Sequence, residues 1–313
     1  MAIRTDLALE AHEMYTQVSR DTAHEIDGVD VDVKKDIGIT ITRIEVTNEN
    51  GEQALSKPRG TYVTIEAPDI KYDTNIYEKV CMFLAREIKE MADIKANTKT
   101  LVVGLGNKHI TPDALGPDVI SKLMITNHMK EHMKEFFSDD LSSVCAIAPG
   151  VLGTTGIETA KIVKGVTAET RPDLVIAIDA LASRSLDRIS TTIQLSDTGI
   201  CPGSGVNNKR EGLNEETLGT KVIAIGVPTV VDAATIANDC IDMVIKETNQ
   251  TIPNEEKKDA LIKEAISKNI GILMVTPKDI DSVIEKVSKT IANGINLALH
   301  KNLTFEDIES YVG

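Results

Sequence analysis

The chain reads as an α/β protein: a mostly parallel sheet flanked by helices, with a β-rich elaboration near the N-terminus at about residues 37–70. Three observations predict this. Short continuous apolar runs at 101–104, 144–148, 174–178 and 222–225 have the composition of strands buried on both faces. Longer helical patterns near 117–136, 157–168 and 229–247 follow them, and a βαβα order places helices over both faces of a parallel sheet. Upstream, residues 37–46 and, more briefly, 61–66 alternate apolar and polar side chains, the period of half-buried strands.

Taken in order, residues 1–36 are polar and acidic with weak periodicity. After the two alternating strands, Ile76, Val80, Phe83, Leu84, Ile88 and Met91 fall on one helical face, which must be core. Residues 189–195 form an additional strand, antiparallel at an edge. The polar stretch 249–258 is an exposed connection, 272–275 a further strand, and Val283, Val287, Ile291, Ile295 and Leu299 repeat at steps of four along a long last helix. No linker composition interrupts the chain, so it is read as one main domain with an N-terminal β-rich elaboration.

Composition narrows the function. The formal charge is −14, from 48 acidic and 34 basic residues, which repels phosphate backbones and anionic membranes. Aromatic residues make up only 3% with no Trp, which removes the stacking platforms of single-strand nucleic-acid binders. Cys81, Cys145, Cys201 and Cys240 are far apart with no CxxC pair, unlike a disulfide framework or a zinc site. The N-terminus lacks an apolar signal core and no stretch has the length of a membrane helix, so a cytoplasmic location is expected.

In an open parallel sheet, function collects beyond the carboxyl ends of the strands. The first such segment, GLGNKHITPDALGPD, departs from a dinucleotide fingerprint because His109 stands where the third glycine belongs. Its glycines permit a tight turn that presents Asp113, which either caps the following helix or acts chemically; Asp118 is a nearby rival. Asp179 ends the apolar run LVIAID, where partial desolvation raises a carboxyl pKa. Its alternatives are bonding to loop amides or pairing with Arg184. Two carboxyls brought together share a proton, one acting as base on water and the other as acid. The run SDTGICPGSGVNNKR is not a GxSxG elbow and reads as a loop over the site, and His128 with His132 reads as a solvated helix face.

The runs LVVGLGN, TPDALGP, APGVLGTTGIET, IAIDALASRS, SDTGICPGSGVNNKR, AIGVPTVVDA and LMVTPKDID resemble the germination protease family of spore-forming Firmicutes, over nearly the whole chain. These endopeptidases degrade small acid-soluble spore proteins in the spore core and are classed with atypical aspartic peptidases. The resemblance implies a sheet similar to that of hydrogenase-maturation peptidases, catalytic Asp113 and Asp179, and a homotetramer made as an inactive zymogen. It also implies cleavage after an acidic residue and before an apolar one followed by Ala. Asp6, Leu7 and Ala8 reproduce that pattern, which places self-cleavage between Asp6 and Leu7 and makes residues 1–6 a propeptide.

The expectation is therefore a cofactor-free and metal-free endopeptidase with a protein substrate and no nucleic-acid or membrane partner. Gly150, Gly153 and Thr154 in one turn, and Gly203, Ser204 and Gly205 in another, are candidates for substrate contacts or amide donors to an oxyanion. The alternatives are a metal-dependent maturation peptidase of the same fold and a non-catalytic protein-binding module.

Overall fold

The computed structural model describes residues 5–18, 26–70, 72–95, 98–133, 140–202, 211–248 and 273–312. Its strands are β1 (Val29–Asp36), β2 (Ile39–Val46), β3 (Gly60–Glu66), β4 (Lys99–Gly104), β5 (Ser143–Ile147), β6 (Leu174–Ser183), β7 (Thr192–Ser196), β8 (Lys221–Asp232) and β9 (Met274–Val275). They join one sheet in the order β1-β2-β3-β7-β8-β6-β4-β5, with β9 on β8. The block β8-β6-β4-β5 is parallel throughout. The strands β1, β2, β3 and β7 form an antiparallel wing that joins the block where β7 pairs β8. The α/β architecture expected from the alternating runs is present, and the N-terminal strands extend the same sheet.

One face of this sheet is covered by α3 (Thr74–Ala92), α4 (Leu115–Ile120) and the long α10 (Ile280–Leu299). Val80, Leu84 and Ile88 of α3 meet Ile284, Val287 and Ile291 of α10 over Val102, Ile176, Ile223 and Ile65, in the largest apolar cluster. The periodic residues expected on both helices are buried, except Phe83, which packs partly buried against the cluster, because a stripe at steps of three and four has one sheet to cover. On the opposite face α7 (Thr159–Thr170) covers Leu101, Val103 and Val175, while α1 (Ala8–Val18) and α2 (Glu49–Leu55) cover Ile44, Val46 and Tyr62 of the wing.

Four elements differ from the sequence reading. The strand expected at 189–195 is β7, antiparallel as expected but flanked by β3 and β8 rather than lying at an edge; all five of its residues are buried. The helix expected from 229 starts at Ala233 (α9, Ala233–Thr248), because Val227, Thr229, Val230 and Val231 continue β8 beside an equally prolonged β6. The helix expected at 117–136 is broken between α4 and α5 (Asn127–His132). There Asn296 accepts from Met124 N–H, and Thr126 bridges Ser142, just before β5, and Val144 within it, so tertiary bonds replace helical ones. The weakly periodic first 36 residues contain α1 and β1. The connection expected at 249–258 lies outside the described residues.

Candidate active site

The site is built where β4 stops and β6 continues. Leu105 N–H still donates to Ile178 O at 2.8 Å, and then the chain leaves the sheet at Gly106 with φ +108°. A side chain there would be strained, and its Cβ would collide with the Asp113 carbonyl oxygen, so the position requires glycine. Asn107 N–H donates to both the Asp113 backbone oxygen at 3.0 Å and Asp113 Oδ2 at 2.8 Å, folding the loop back on itself. Gly104 and Gly116 let α4 pack directly on the strand end, since a Cβ on either would enter the other segment's backbone. The glycines of this run thus serve a close strand-to-helix approach.

Asp113 closes a single 3-10 turn, Thr111–Asp113, and does not cap α4; Ala114 holds the cap position with no side-chain bond. The capping alternative for Asp113 is excluded. Asp179 is not at the end of its strand but within it, pairing Gly226 of β8, and it is only 8% exposed. Its Oδ1 accepts from Ala180 N–H at 2.9 Å. Arg184 does not pair with it; the Arg184 backbone N–H donates to Glu10 instead.

Burial holds the Asp179 carboxyl well above the ordinary carboxylate range, and the neighbouring charge of Asp113 pushes it further, with a smaller push from Asp6 against the Ala180 bond. Asp113 is raised by burial too, opposed by the Asn107 N–H. Asp118 is also raised by burial, but the charges that act on it are Lys122 and Glu285, on the side of α10. The like charge that acts on Asp179 is thus that of Asp113, while Asp118 answers to a different set of charges.

The third carboxyl belongs to the chain's own N-terminal segment. With β4 ended, the edge of β6 that it had paired is open beyond Ile178, and Asp6 takes it: Asp6 N–H donates to Ala182 O at 3.2 Å and Ala182 N–H donates to Asp6 Oδ2 at 2.9 Å. The backbone carbonyl of Asp6 accepts from Lys57 Nζ at 2.8 Å and Gln194 Nε2 at 3.3 Å, while Gln194 Oε1 accepts from Ala8 N–H at 2.6 Å. Leu7, between them, is fully buried. Sheet register explains the meeting. Asp179 and Gln194 are each partnered with Gly226, one from either side, so they sit on the same sheet face about two strand spacings, roughly 10 Å, apart.

Beyond the segment, Glu10 accepts from the N–H groups of Arg184 (2.7 Å) and Ser185 (3.0 Å) and from Thr5 Oγ1. Arg188 holds Glu13 through two bonds of 2.8 and 2.6 Å, Glu66 at 3.1 Å and Glu10 at 3.4 Å, which locks α1 onto the loop after β6.

Gly150, Gly153 and Thr154 lie beyond β5, around the short helix α6 (Leu152–Thr155), and among the described residues no hydrogen bond joins them to either aspartate. Gly203, Ser204 and Gly205 lie outside the described residues. His128 and His132 are solvent-exposed on α5, as their spacing suggested. Lys57, Ala182 and Gln194 were not anticipated. A glutamine inside the apolar strand TIQLS was a usable signal; Lys57 and Ala182 offered none. Among the described residues no group of three or more His, Cys, Asp or Glu side chains is placed to hold a metal ion, and no helix is long and apolar enough to cross a membrane.

A buried carboxyl, Asp179, with the half-buried Asp113 acting on it, thus lies beside a docked peptide segment. The germination protease family profile matches residues 8–257 and 249–312. The chain is 48% identical to the germination protease of Clostridium tetani, covering 100% of both chains. It is 49% identical to that of Caldanaerobacter subterraneus subsp. tengcongensis (98% of this chain, 97% of the relative) and 41% identical to that of a Geobacillus species (99% and 97%). Among solved structures, a [NiFe] hydrogenase maturation protease HycI from Thermococcus kodakarensis is similar at 17% identity with a TM-score of 0.34, covering 66% of this chain and 98% of that one. The chain belongs to the germination protease family. It is a protease, and its substrate is protein.

Proposed function

We propose that this protease is an endopeptidase of spore germination that works by aspartic chemistry through Asp113 and Asp179. It cuts small acid-soluble spore proteins after an acidic residue, and it first cuts its own Asp6–Leu7 bond. The observation that carries the reading is the placement of Asp179: buried, raised by burial and by Asp113, and sensing the carboxylate of Asp6. Two carboxyls in this relation retain one proton between them. The ionised one takes a proton from a water, whose oxygen bonds to the peptide carbonyl carbon; the protonated one gives its proton to the departing amide nitrogen. The acidic preference follows from Ala182, whose N–H donates to the Asp6 carboxylate.

In this reading residues 1–6 are a propeptide and residues 7–313 the peptidase domain, located in the spore core. Gly150, Gly153, Thr154 and Gly203–Gly205 contribute contacts to longer substrates. A homotetramer belongs to the same reading, and the outer edge of β1, where Val31 and Val33 are exposed, offers surface for pairing between chains.

The test is mass spectrometry of the purified protein during incubation at mildly acidic pH. Wild type is expected to lose residues 1–6 while Asp113→Asn and Asp179→Asn stay intact. Equal trimming in all three would sink the aspartic mechanism.

A further inference from the structure

The Asp6 carbonyl accepts bonds from two side chains, and these two partners come from elements far apart in sequence. Lys57 follows α2, where Ser56 leaves the helix in the left-handed region (φ 52°) and Tyr62 Oη fixes the turn by donating to Pro58 O at 2.8 Å. Lys57 Nζ then reaches both Thr5 O at 3.3 Å and Asp6 O at 2.8 Å. Gln194 is 8% exposed, on the same sheet face as Asp179 with β8 between them. Its side-chain amide straddles the Asp6–Leu7 bond, donating to the carbonyl before it and accepting from the N–H of Ala8 after it.

A buried glutamine that spends both ends of its amide on one short segment sets that segment's position and orientation. An ammonium group 2.8 Å from the same carbonyl adds charge, and a cationic donor is roughly twice as strong as a neutral one. A docking role alone would be met by bonds to any of the carbonyls between residues 5 and 8. Here a cation and an amide converge on one oxygen, that of the bond proposed to be cut.

We infer that Lys57 and Gln194 are the electrophilic donors for self-cleavage: they polarise the Asp6 carbonyl and hold the oxyanion that forms on it. The assignment rests on the Asp6–Leu7 cut proposed above. As the water oxygen bonds to the Asp6 carbonyl carbon, its proton passes to the ionised aspartate and the carbonyl electron pair moves onto the oxygen between Lys57 Nζ and Gln194 Nε2. The pair returns as the carbon–nitrogen bond breaks, and the protonated aspartate gives its proton to the Leu7 nitrogen. The products are the Asp6 carboxylate and a Leu7 amine. No other co-reactant is needed.

The test follows self-cleavage of the full chain by intact mass. Lys57→Met is expected to slow the cut about a hundredfold, the usual effect of removing one oxyanion donor, and Lys57→Arg to recover most of the rate. Gln194→Glu keeps the acceptor for Ala8 and removes the donor; its rate relative to wild type should recover as pH falls, because the introduced carboxyl becomes a donor once protonated. Hydrogen exchange at Leu7 and Ala8, measured with Asp179→Asn added so that the chain stays uncut, reports docking separately. A slow cut with protection retained supports the inference. An unchanged rate in Lys57→Met, or slowing matched by lost protection, overturns it. If the aspartate variants stop trimming while Lys57→Met does not slow it, the donor assignment alone is wrong. If the aspartate variants trim normally or wild type never does, the proposed function fails and the inference falls with it.

Discussion

Two groups of carboxylates lie within a few residues of each other along β6 and its following loop, and the protein treats them in opposite ways. Around Arg188, the carboxylates of Glu10, Glu13 and Glu66 converge on one guanidinium. Burial lowers the Arg188 pKa, but the bonds and charges of Glu13 and Glu66 outweigh that and the guanidinium is held firmly charged. Around Asp179, the charges that act on it among the described residues are those of Asp113 and Asp6, and burial plus like charge drive it toward the neutral form. Both arrangements take acid groups out of water. The first compensates them with a guanidinium and fixes α1 to the sheet; the second sets like charges beside a buried carboxyl and so favours its protonated form.

Substitutions can break either half of this contrast. The largest effect is expected at the pair itself: Asp113→Asn or Asp179→Asn should lower cleavage of a peptide substrate by at least about a thousandfold, the scale of lost general acid–base action. The double variant should be no worse than either single one, because the two carboxyls act as a unit. Peptide hydrolysis assays on the three variants decide this; additive losses would mean the carboxyls work apart.

At the compensated cluster, Arg188→Met leaves Glu10, 2% exposed, without its cation. The expected cost is about 3 kcal/mol, the lower end for a broken buried pair since Glu13 and Glu66 reach solvent. Urea unfolding measures it, and a loss below about 1 kcal/mol would mean the cluster contributes no more than a surface pair.

Next in size is Gly106→Ala, which forces an alanine to φ +108° against the Asp113 carbonyl. About 2 kcal/mol of strain is expected, together with loss of activity as the loop that presents Asp113 shifts. Retained activity at lowered stability would show that the loop yields elsewhere.

The smallest effect is on the pH dependence of stability. Asp179 has a folded pKa above its ordinary 3.8, so the folded state holds a proton that the unfolded chain releases. Its favourable contribution is present below pH 3.8 and is lost as pH rises through the folded value. Asp179→Asn should therefore melt higher than wild type at pH 7, by about 2 °C for each kcal/mol gained, with the difference closing toward pH 4. Calorimetry at the two pH values checks the sign. His300 runs the other way: burial lowers it to about 4, so its contribution is present above 6.5 and lost as pH falls toward 4.

The legibility of the fold followed burial. Strands covered on both faces, such as LVIAI in β6, could be read because nothing polar fits there, and the stripes of α3 and α10 because each meets one sheet. Elements whose fate depends on a distant partner could not. The break after α4 is made by Asn296 from α10, and the extension of β8 by the equal extension of β6. The aspartates were legible because an acid next to an apolar strand run is costly unless used. Lys57 and Gln194 act on Asp6 across 51 and 188 residues of chain, and no local pattern carries that.

By itself the sequence determined the alternation of strand and helix, the two core stripes, the candidate acids and the family motifs, since each rests on residues adjacent or one helical turn apart. Only the tertiary structure decided that β7 is the seam between the two halves of the sheet, that Asp113 is released from capping, and that Asp6 lies on the open edge of β6. The physical reason is one of range. Hydrophobic periodicity is local, whereas the pairing of strands in register, which sets Asp179 and Gln194 on either side of Gly226, exists only once the chain has closed on itself.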